Sequence, residues 1–495
     1  MTVADTPRRT VADDLRDLAM GNYRFAHSPT GLVGIEQCQD WPVAVPLNEL
    51  RPRLSHAFWL KEGRVPSRTA VTNALDAIEG AALANLGTSE ATVEVDPQPR
   101  VARAGAARVV VDLNDGTGRA AIVTPRDVVI DRAPTRTRVC FARTEAMGAL
   151  PEPDVDADPT HVPQLLASLL NMTDEGLRLV TGWLVCALIA DVAHPVLVLR
   201  GEQGTAKSTA ARILTRIIDP GPAPLRQPPK DVDAWMASAS ASWVVTLDNV
   251  SGLSAEVSDA LCRAVTGDGM VKRRLYSDNG AYVITLRRAV IITTIEAGAT
   301  RGDLAERSLP ITLLPVGERR VSEREIEGLF QEAWPQLLGA LLRLTGLVLG
   351  KLPTTRLAHA PRMADFALVL AALDDVMGWD GAALTSYLTS LAEAHVDVIE
   401  ANPLASHLLA FLDEEGEWNG TPSELLEKLD ARFGDTSRPR GWPQNPRGMT
   451  SMLNRLNPTL RGVGWEYAQG QRTKYARRCT ITRCATPHDP KEGAA

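Results

Sequence analysis

The 495-residue chain is 44% hydrophobic and 23% charged, with 33 Pro and 37 Gly, ordinary values for a soluble globular protein of two to four domains. A formal net charge of −7 excludes a general electrostatic hold on nucleic acid, so any such attraction has to come from local patches. Six scattered cysteines (Cys38, Cys140, Cys186, Cys262, Cys479, Cys484) with no CxxC argue against a disulfide framework and a zinc ribbon.

Met1 to Leu18 mixes Arg with Asp and has no apolar run, so it is not a signal peptide, and a cytoplasmic protein is expected. Residues 1–150 alternate short apolar runs with turn signals, as an α+β domain would. Ser67 to Leu86 has helical spacing, with Val71, Leu75, Ile78 and Leu83 on one side. Arg108–Leu113 and Ala120–Thr124 flank Asp115-Gly116 and predict a hairpin. The run Val109 to Asn114 superficially resembles the strand that carries metal carboxylates in some primases. Its second acidic position is Asn114, which favours a plain hairpin strand. The Pro-rich, acidic stretch Leu150 to Pro159 predicts a linker over 151–160, with solvated carboxylates.

From 161 to 320 the pattern alternates helix and strand, predicting an α/β nucleotide-binding core. Leu179 to Leu199 is apolar but interrupted by Asp191, His194 and Pro195, so a buried helix and a buried strand are expected there, not a membrane span. The strand Pro195 to Arg200 runs into Gly201, Glu202, Gln203, Gly204, Thr205, Ala206, Lys207, Ser208 and Thr209, and then into a helical run to Ile218. Strand, Gly-rich loop, Lys-Ser and helix is the context a phosphate-binding P-loop requires. Backbone amides and the helix N-terminus would cradle the phosphates of ATP. Lys207 would bridge the β- and γ-phosphates, and Ser208 would ligate Mg²⁺. Ala206 replaces the usual Gly before the lysine, which is acceptable if its φ stays below zero and costly otherwise.

About 40 residues on, Trp243 to Asp248 is an apolar strand ending in a carboxylate suited to the Mg²⁺ water shell. Asn249 follows, where most such ATPases carry a second acid. An amide can orient a water but cannot take its proton, so binding is a safer expectation than fast hydrolysis. A third strand, Ala289 to Thr294, ends in Thr293 and Thr294, either a γ-phosphate sensor or simply polar residues ending a core strand. Between these strands, Val271 to Arg288 flanks Asn279-Gly280 with β-rich runs, a strong hairpin signal. Lys272, Arg273, Arg274, Arg287 and Arg288, with Tyr276 and Tyr282, suit phosphate contact and base stacking on single-stranded DNA, a charged surface hairpin being the alternative.

The stretches GEQGTAKST, TLDNVSGL, LCRAVTGDG, KRRLYSD and PRMADFA, in this order, resemble the superfamily-3 helicases. More closely they resemble the primase-associated phage- and plasmid-type helicase ATPases of bacteria, over 160–375 and more weakly over 100–155. The resemblance implies an AAA+-like core and a homohexameric ring with ATP between subunits. It also implies channel-lining hairpins that track single-stranded DNA, commonly 3′ to 5′, and it assigns Arg307 as an arginine finger for a neighbouring subunit's ATP.

Leucine-rich helices are expected over 321–403. In 404–484, Thr421-Pro-Ser-Glu424 and Asn445-Pro446 start two helices, and two strand-like runs follow Gly464. Helices followed by a hairpin predict a winged-helix domain with 446–456 as recognition helix. Residues 432–483 hold eleven Arg/Lys against two Asp/Glu, and Arg447, Asn454, Arg455, Arg472 and Lys474 are candidate DNA contacts, a protein-docking winged helix being the alternative. A disordered tail is expected over 485–495. The whole predicts an ATP- and Mg²⁺-dependent DNA helicase-like motor acting on single-stranded and possibly duplex DNA in a phage, plasmid or integrated element. Any primase would be a separate partner, and no membrane is involved. The rival reading is an ATP-switched regulatory or defence factor that hydrolyses slowly and unwinds nothing.

Overall fold

The computed structural model describes residues 9–28, 31–36, 43–84, 97–131, 139–273, 281–295, 302–316, 322–400, 402–432, 438–439, 441–472 and 477–484. At its centre is a four-stranded parallel sheet in the order Ser308–Thr312, Val196–Arg200, Ala289–Thr294, Val244–Leu247. Its strands are nearly continuous apolar runs because both faces are covered. Alternation along each strand divides the side chains between two layers. Leu197, Leu199, Ile291 and Ile311 face the helices Asp174–Ala187, Lys207–Ile218 and Glu323–Lys351. Val196, Val198, Val245 and Ile292 face Val232–Ala241 and Ala255–Thr266.

The expected helical region is present as Glu323–Lys351, Ala364–Met377 and Ala382–Glu400. Glu323–Lys351 alone among the described helices is long and apolar enough to cross a membrane, and 67% of its most apolar window is buried inside the protein.

The first 150 residues differ from a single α+β unit. Residues 11–84 form three helices and a three-stranded sheet around their own core, which includes Leu15, Leu50, Leu54, Phe58 and Ile78. The predicted hairpin lies instead in a four-stranded antiparallel sheet, Val101–Arg103, Val109–Asp112, Ala120–Val123 and Val128–Asp131. Val109 and Val111 join the core of the central unit, while Val110 turns to a small cluster with Phe141. Asp112 is fully buried and held bidentately by Arg143, at 2.8 and 2.6 Å, so it braces this sheet.

The stretch 151–160, expected as a linker, is packed. The Asp154 N–H donates to Pro335 O on the long helix at 2.9 Å, and Leu150 and Ala157 are buried. Glycine permits this contact. A Cβ on Gly339 would stand 1.8 Å from Asp154 O, and one on Gly346 would stand 2.3 Å from Thr124 O. Glu152 pairs with Arg119, and its carboxylate is largely exposed as expected.

The described residues of 403–484 share a core of their own, which also takes in Ile399 of the preceding helix. Helix Pro403–Glu415, a short strand Trp418–Gly420, helices Pro422–Ala431 and Pro446–Gly462, and the hairpin Trp465–Arg472/Arg477–Arg483 follow in order. Thr421 and Glu424 make the predicted reciprocal cap. The short strand adds to the hairpin in the order Trp418–Gly420, Arg477–Arg483, Trp465–Arg472.

Candidate functional site

The loop Gly201–Ala206 leaves the C-terminal end of the parallel sheet and turns into the helix Lys207–Ile218. Gly201 has φ +153° and Gly204 +87°, backbone values that favour glycine. A Cβ on Gly201 would stand 2.7 Å from Thr205 Oγ1. Thr205 is 3% exposed and donates its hydroxyl to Glu202 O, so its side chain braces the loop. Glu202, Gln203 and Gly204 are exposed, and Thr209 is half-buried on the first turn of the helix.

Ala206 does not keep the negative φ that would make alanine harmless. It sits at φ +60°, ψ 29°, where a Cβ costs about 1–2 kcal/mol. No side chain caps the helix it precedes. The N-terminus of that helix is therefore open to an anion, which its amides and dipole favour.

Lys207, Ser208 and Asp248 converge here. Lys207 Nζ donates to Gly201 O at 2.8 Å and Glu202 O at 2.7 Å, and burial lowers its pKa, with Asp248 opposing the shift. Ser208 Oγ donates to the Asp248 carboxylate at 2.9 Å. Thr293, 1% exposed, donates its hydroxyl to the same carboxylate at 2.6 Å and accepts the Asn249 N–H at 2.8 Å. Thr293 therefore orients Asp248 and the backbone beside it. Thr294 is buried at the end of the same strand. Asn249 is exposed at φ +56°, a left-handed conformation asparagine tolerates better than most residues. A hydroxyl and a carboxylate offer the hard oxygen ligands that Mg²⁺ accepts while keeping its waters, and Ser208 and Asp248 supply that set. Among the described residues no group of three or more His, Cys, Asp or Glu could hold a metal by itself.

Two residues at this site have no motif in the sequence to mark them. Arg226 runs along the outer edge of Val244–Leu247, accepting the Asp248 N–H at 2.8 Å and donating its own N–H to Thr246 O at 2.9 Å. Its guanidinium is tied to Ser238 O and Ser242. Asn171 donates its side-chain amide to Thr205 O at 3.1 Å and to Leu314 O.

Arg307 lies at the other end of the sheet. Its carbonyl accepts the Val196 N–H at 2.8 Å, at the start of the strand whose far end carries the loop. Five residues of parallel strand separate those ends by roughly 16 Å. Arg307 is held by Asp303 at 3.2 Å and its side chain is 14% exposed.

The predicted basic hairpin pairs Gly269–Arg273 with Ala281–Thr285, placing Lys272 opposite Tyr282 and Arg273 opposite Ala281. Arg274, Tyr276 and the Asn279-Gly280 turn lie outside the described residues, as do the side chains of Lys272, Arg273 and Tyr282. Arg287 and Arg288, expected among its DNA contacts, instead anchor its base. Arg288 is 5% exposed, donates to Ala239 O and lies 5.8 Å from the Trp243 ring centroid. Arg287 donates to Thr266 O at 3.1 Å, closing the C-terminus of Ala255–Thr266. Arginine in a basic run carries no mark of burial, and only the carbonyls it meets distinguish these two.

On the C-terminal unit, Arg447, Asn454 and Arg455 are exposed on helix Pro446–Gly462. Asn454 accepts from Gln469 of the hairpin at 3.1 Å, and Arg455 donates to Ser451 O at 3.3 Å. Arg447, Thr450, Ser451 and Asn454 share a notch with Thr421 and Ser423 at the start of the preceding helix. Arg472 ends its strand, and Lys474 lies outside the described residues.

These features sit in a replication protein of a mobile element. Residues 163–397 match the family described as actinomycete integrative conjugative element replication protein, and 404–492 match the C-terminal domain of the same RepA family. The two matches span about two thirds of the sequence, and the chain belongs to this family.

No curated protein matches the chain. Among solved structures it is similar to the A form apo structure of the NrS-1 C-terminal region, at 13% identity and a TM-score of 0.41, covering 95% of this chain and 98% of that one. The apo structure of the NrS-1 C-terminal region 305–718 is similar at 12% identity and a TM-score of 0.40, covering 96% and 100%.

Proposed function

We propose that this replication protein is an ATP- and Mg²⁺-dependent P-loop ATPase of the AAA+, superfamily-3 type, working as a DNA helicase motor when its element replicates. The convergence of Lys207, Ser208 and Asp248 on an uncapped helix N-terminus supports the reading. On this reading Gly201–Thr209 wraps the phosphates, Ser208 and Asp248 hold the magnesium, and Thr293 keeps Asp248 aimed. The bound Mg²⁺ supplies charge neutralisation on the phosphates.

Arg307, at the far end of the sheet from its own loop, serves a neighbouring subunit in a homohexameric ring. The hairpin around Lys272, Arg273, Arg274, Tyr276 and Tyr282 tracks single-stranded DNA. The C-terminal unit acts as a winged helix that brings the protein to duplex DNA through Arg447, Asn454, Arg455, Arg472 and Lys474. Primer synthesis falls to a separate primase. Helix–strand–helix–helix–hairpin order and the exposed Arg447 and Arg455 support the winged-helix assignment.

The test is ATP turnover with and without single-stranded DNA, in wild type and Lys207→Ala. Stimulation by DNA, lost in the variant, is expected. Turnover that ignores both changes would sink the motor.

Asn249 favours a second reading, an ATP-switched DNA-binding regulatory or defence factor with slow hydrolysis. Strand displacement separates the two, because a switch binds ATP and duplex yet leaves the strands annealed.

A further inference from the structure

Ala206 carries the strain of the loop, at φ +60° with a Cβ. That φ is a rotation about the bond leaving the Thr205–Ala206 peptide, so turning this peptide is the cheapest route to an ordinary conformation. The carbonyl of the same peptide is Thr205 O, and it accepts the Asn171 side-chain amide at 3.1 Å. The second partner of that amide is Leu314 O, just past the edge strand Ser308–Thr312. Both partners are carbonyl acceptors, so the nitrogen of Asn171 faces them and both of its hydrogens are used. The backbone of Asn171 is fixed too, its own carbonyl accepting the Leu314 N–H at 2.9 Å.

We propose that Asn171 is a positioning residue for the phosphate loop. It pins the peptide ahead of Ala206 and so holds the loop in the strained conformation that receives a nucleotide. The inference rests on the reading of Gly201–Thr209 as a phosphate loop. It also explains how alanine is accommodated at a position that favours glycine: the strain is held by a hydrogen bond from outside the loop. Removing the pin lets the peptide turn, and apparent affinity falls with the fraction of loops still competent to bind. Replacing Ala206 by glycine removes the strain, since glycine populates positive φ freely, and makes the pin dispensable.

The experiment titrates the full-length protein with a fluorescent ATP analogue and Mg²⁺. It compares wild type, Asn171→Ala, Asn171→Asp, Ala206→Gly and the Asn171→Ala/Ala206→Gly double variant. Asn171→Asp keeps the shape of the side chain and removes both donors, and it serves if Asn171→Ala fails to fold. Each Asn171 variant should weaken binding about tenfold, and the double variant should return to within about threefold of Ala206→Gly alone. Wild-type affinity in Asn171→Ala or Asn171→Asp overturns the proposal. So does a loss that Ala206→Gly leaves unrepaired, which would mean that Asn171 acts through the edge strand. No saturable binding by the wild type would instead remove the phosphate-loop reading itself, and the wild-type titration alone distinguishes that failure.

Discussion

Thr293 donates its hydroxyl to Asp248 at 2.6 Å from a position 1% exposed to solvent. The same oxygen accepts the Asn249 N–H, so one buried hydroxyl fixes both the carboxylate and the backbone turn beside it. Thr293→Val keeps the shape and deletes the hydroxyl. Turnover should fall about tenfold while nucleotide affinity changes little, and Thr293→Ser should recover most of the rate. Equal losses in kcat and affinity would show that Thr293 shapes the pocket as a whole.

Asn249 lies exposed beside Asp248 but cannot accept a proton. Asn249→Asp preserves size, tolerates the left-handed backbone and adds a base. Steady-state turnover should rise about a hundredfold, at the lower edge of what a general base contributes. Unchanged turnover with intact nucleotide binding would mean that water is not activated from this side.

Arg100 and Asp219 form an ion pair with side chains 0% and 2% exposed. Arg100 also donates to Asp112 O and Gly148 O, while Asp219 accepts the N–H groups of Trp243 and Val244. The pair joins the antiparallel sheet, the end of the loop helix and the start of the Asp248 strand. Asp219→Asn should cost about 3 kcal/mol in urea unfolding, because it strands a buried guanidinium. Arg100→Met combined with Asp219→Leu should cost less than the two single losses together.

His194 is fully buried, and desolvation lowers its pKa to about 4. Its Nε2 lies 3.1 Å from Ile189 O, and the ring meets Trp243 edge-on. The group is neutral when folded and takes up a proton near pH 6.5 when unfolded. Its contribution is therefore complete above pH 6.5 and is lost as pH falls towards 4, by about 1.4 kcal/mol per unit within that window. Urea midpoints between pH 7 and 5 should show this limb, and His194→Phe should flatten it.

Arg447 stands exposed at the start of helix Pro446–Gly462. If it meets a phosphate, Arg447→Ala should weaken duplex binding across all sequences and reduce the salt slope by about one, as read by fluorescence anisotropy. An unchanged slope would reassign this face to protein docking.

Much of the central unit was legible because parallel strands buried on both faces read as plain apolar runs. Val196–Arg200 and Ala289–Thr294 are such runs, and each sits where its punctuation implied. The Pro-rich stretch at 150 misled because acids and prolines look the same in a free tether and in a packed strap. The informative signal lay elsewhere, in Gly339 and Gly346, two turns apart on one helix. Arg226 and Asn171 were invisible for a different reason: each acts through hydrogen bonds to backbone groups of remote segments, and such partners leave no pattern in the chain.

Gly339 and Gly346 bring bare backbone against bare backbone, and the same helix grips the loop helix through Glu323 to Arg212 and Glu327 to Arg216. One helix therefore ties the loop helix at its first turns to the backbone at Asp154 and Thr124 further along. A shortened form of this protein must begin ahead of Val101, since a cut near residue 150 would strip away the antiparallel sheet that walls the central core.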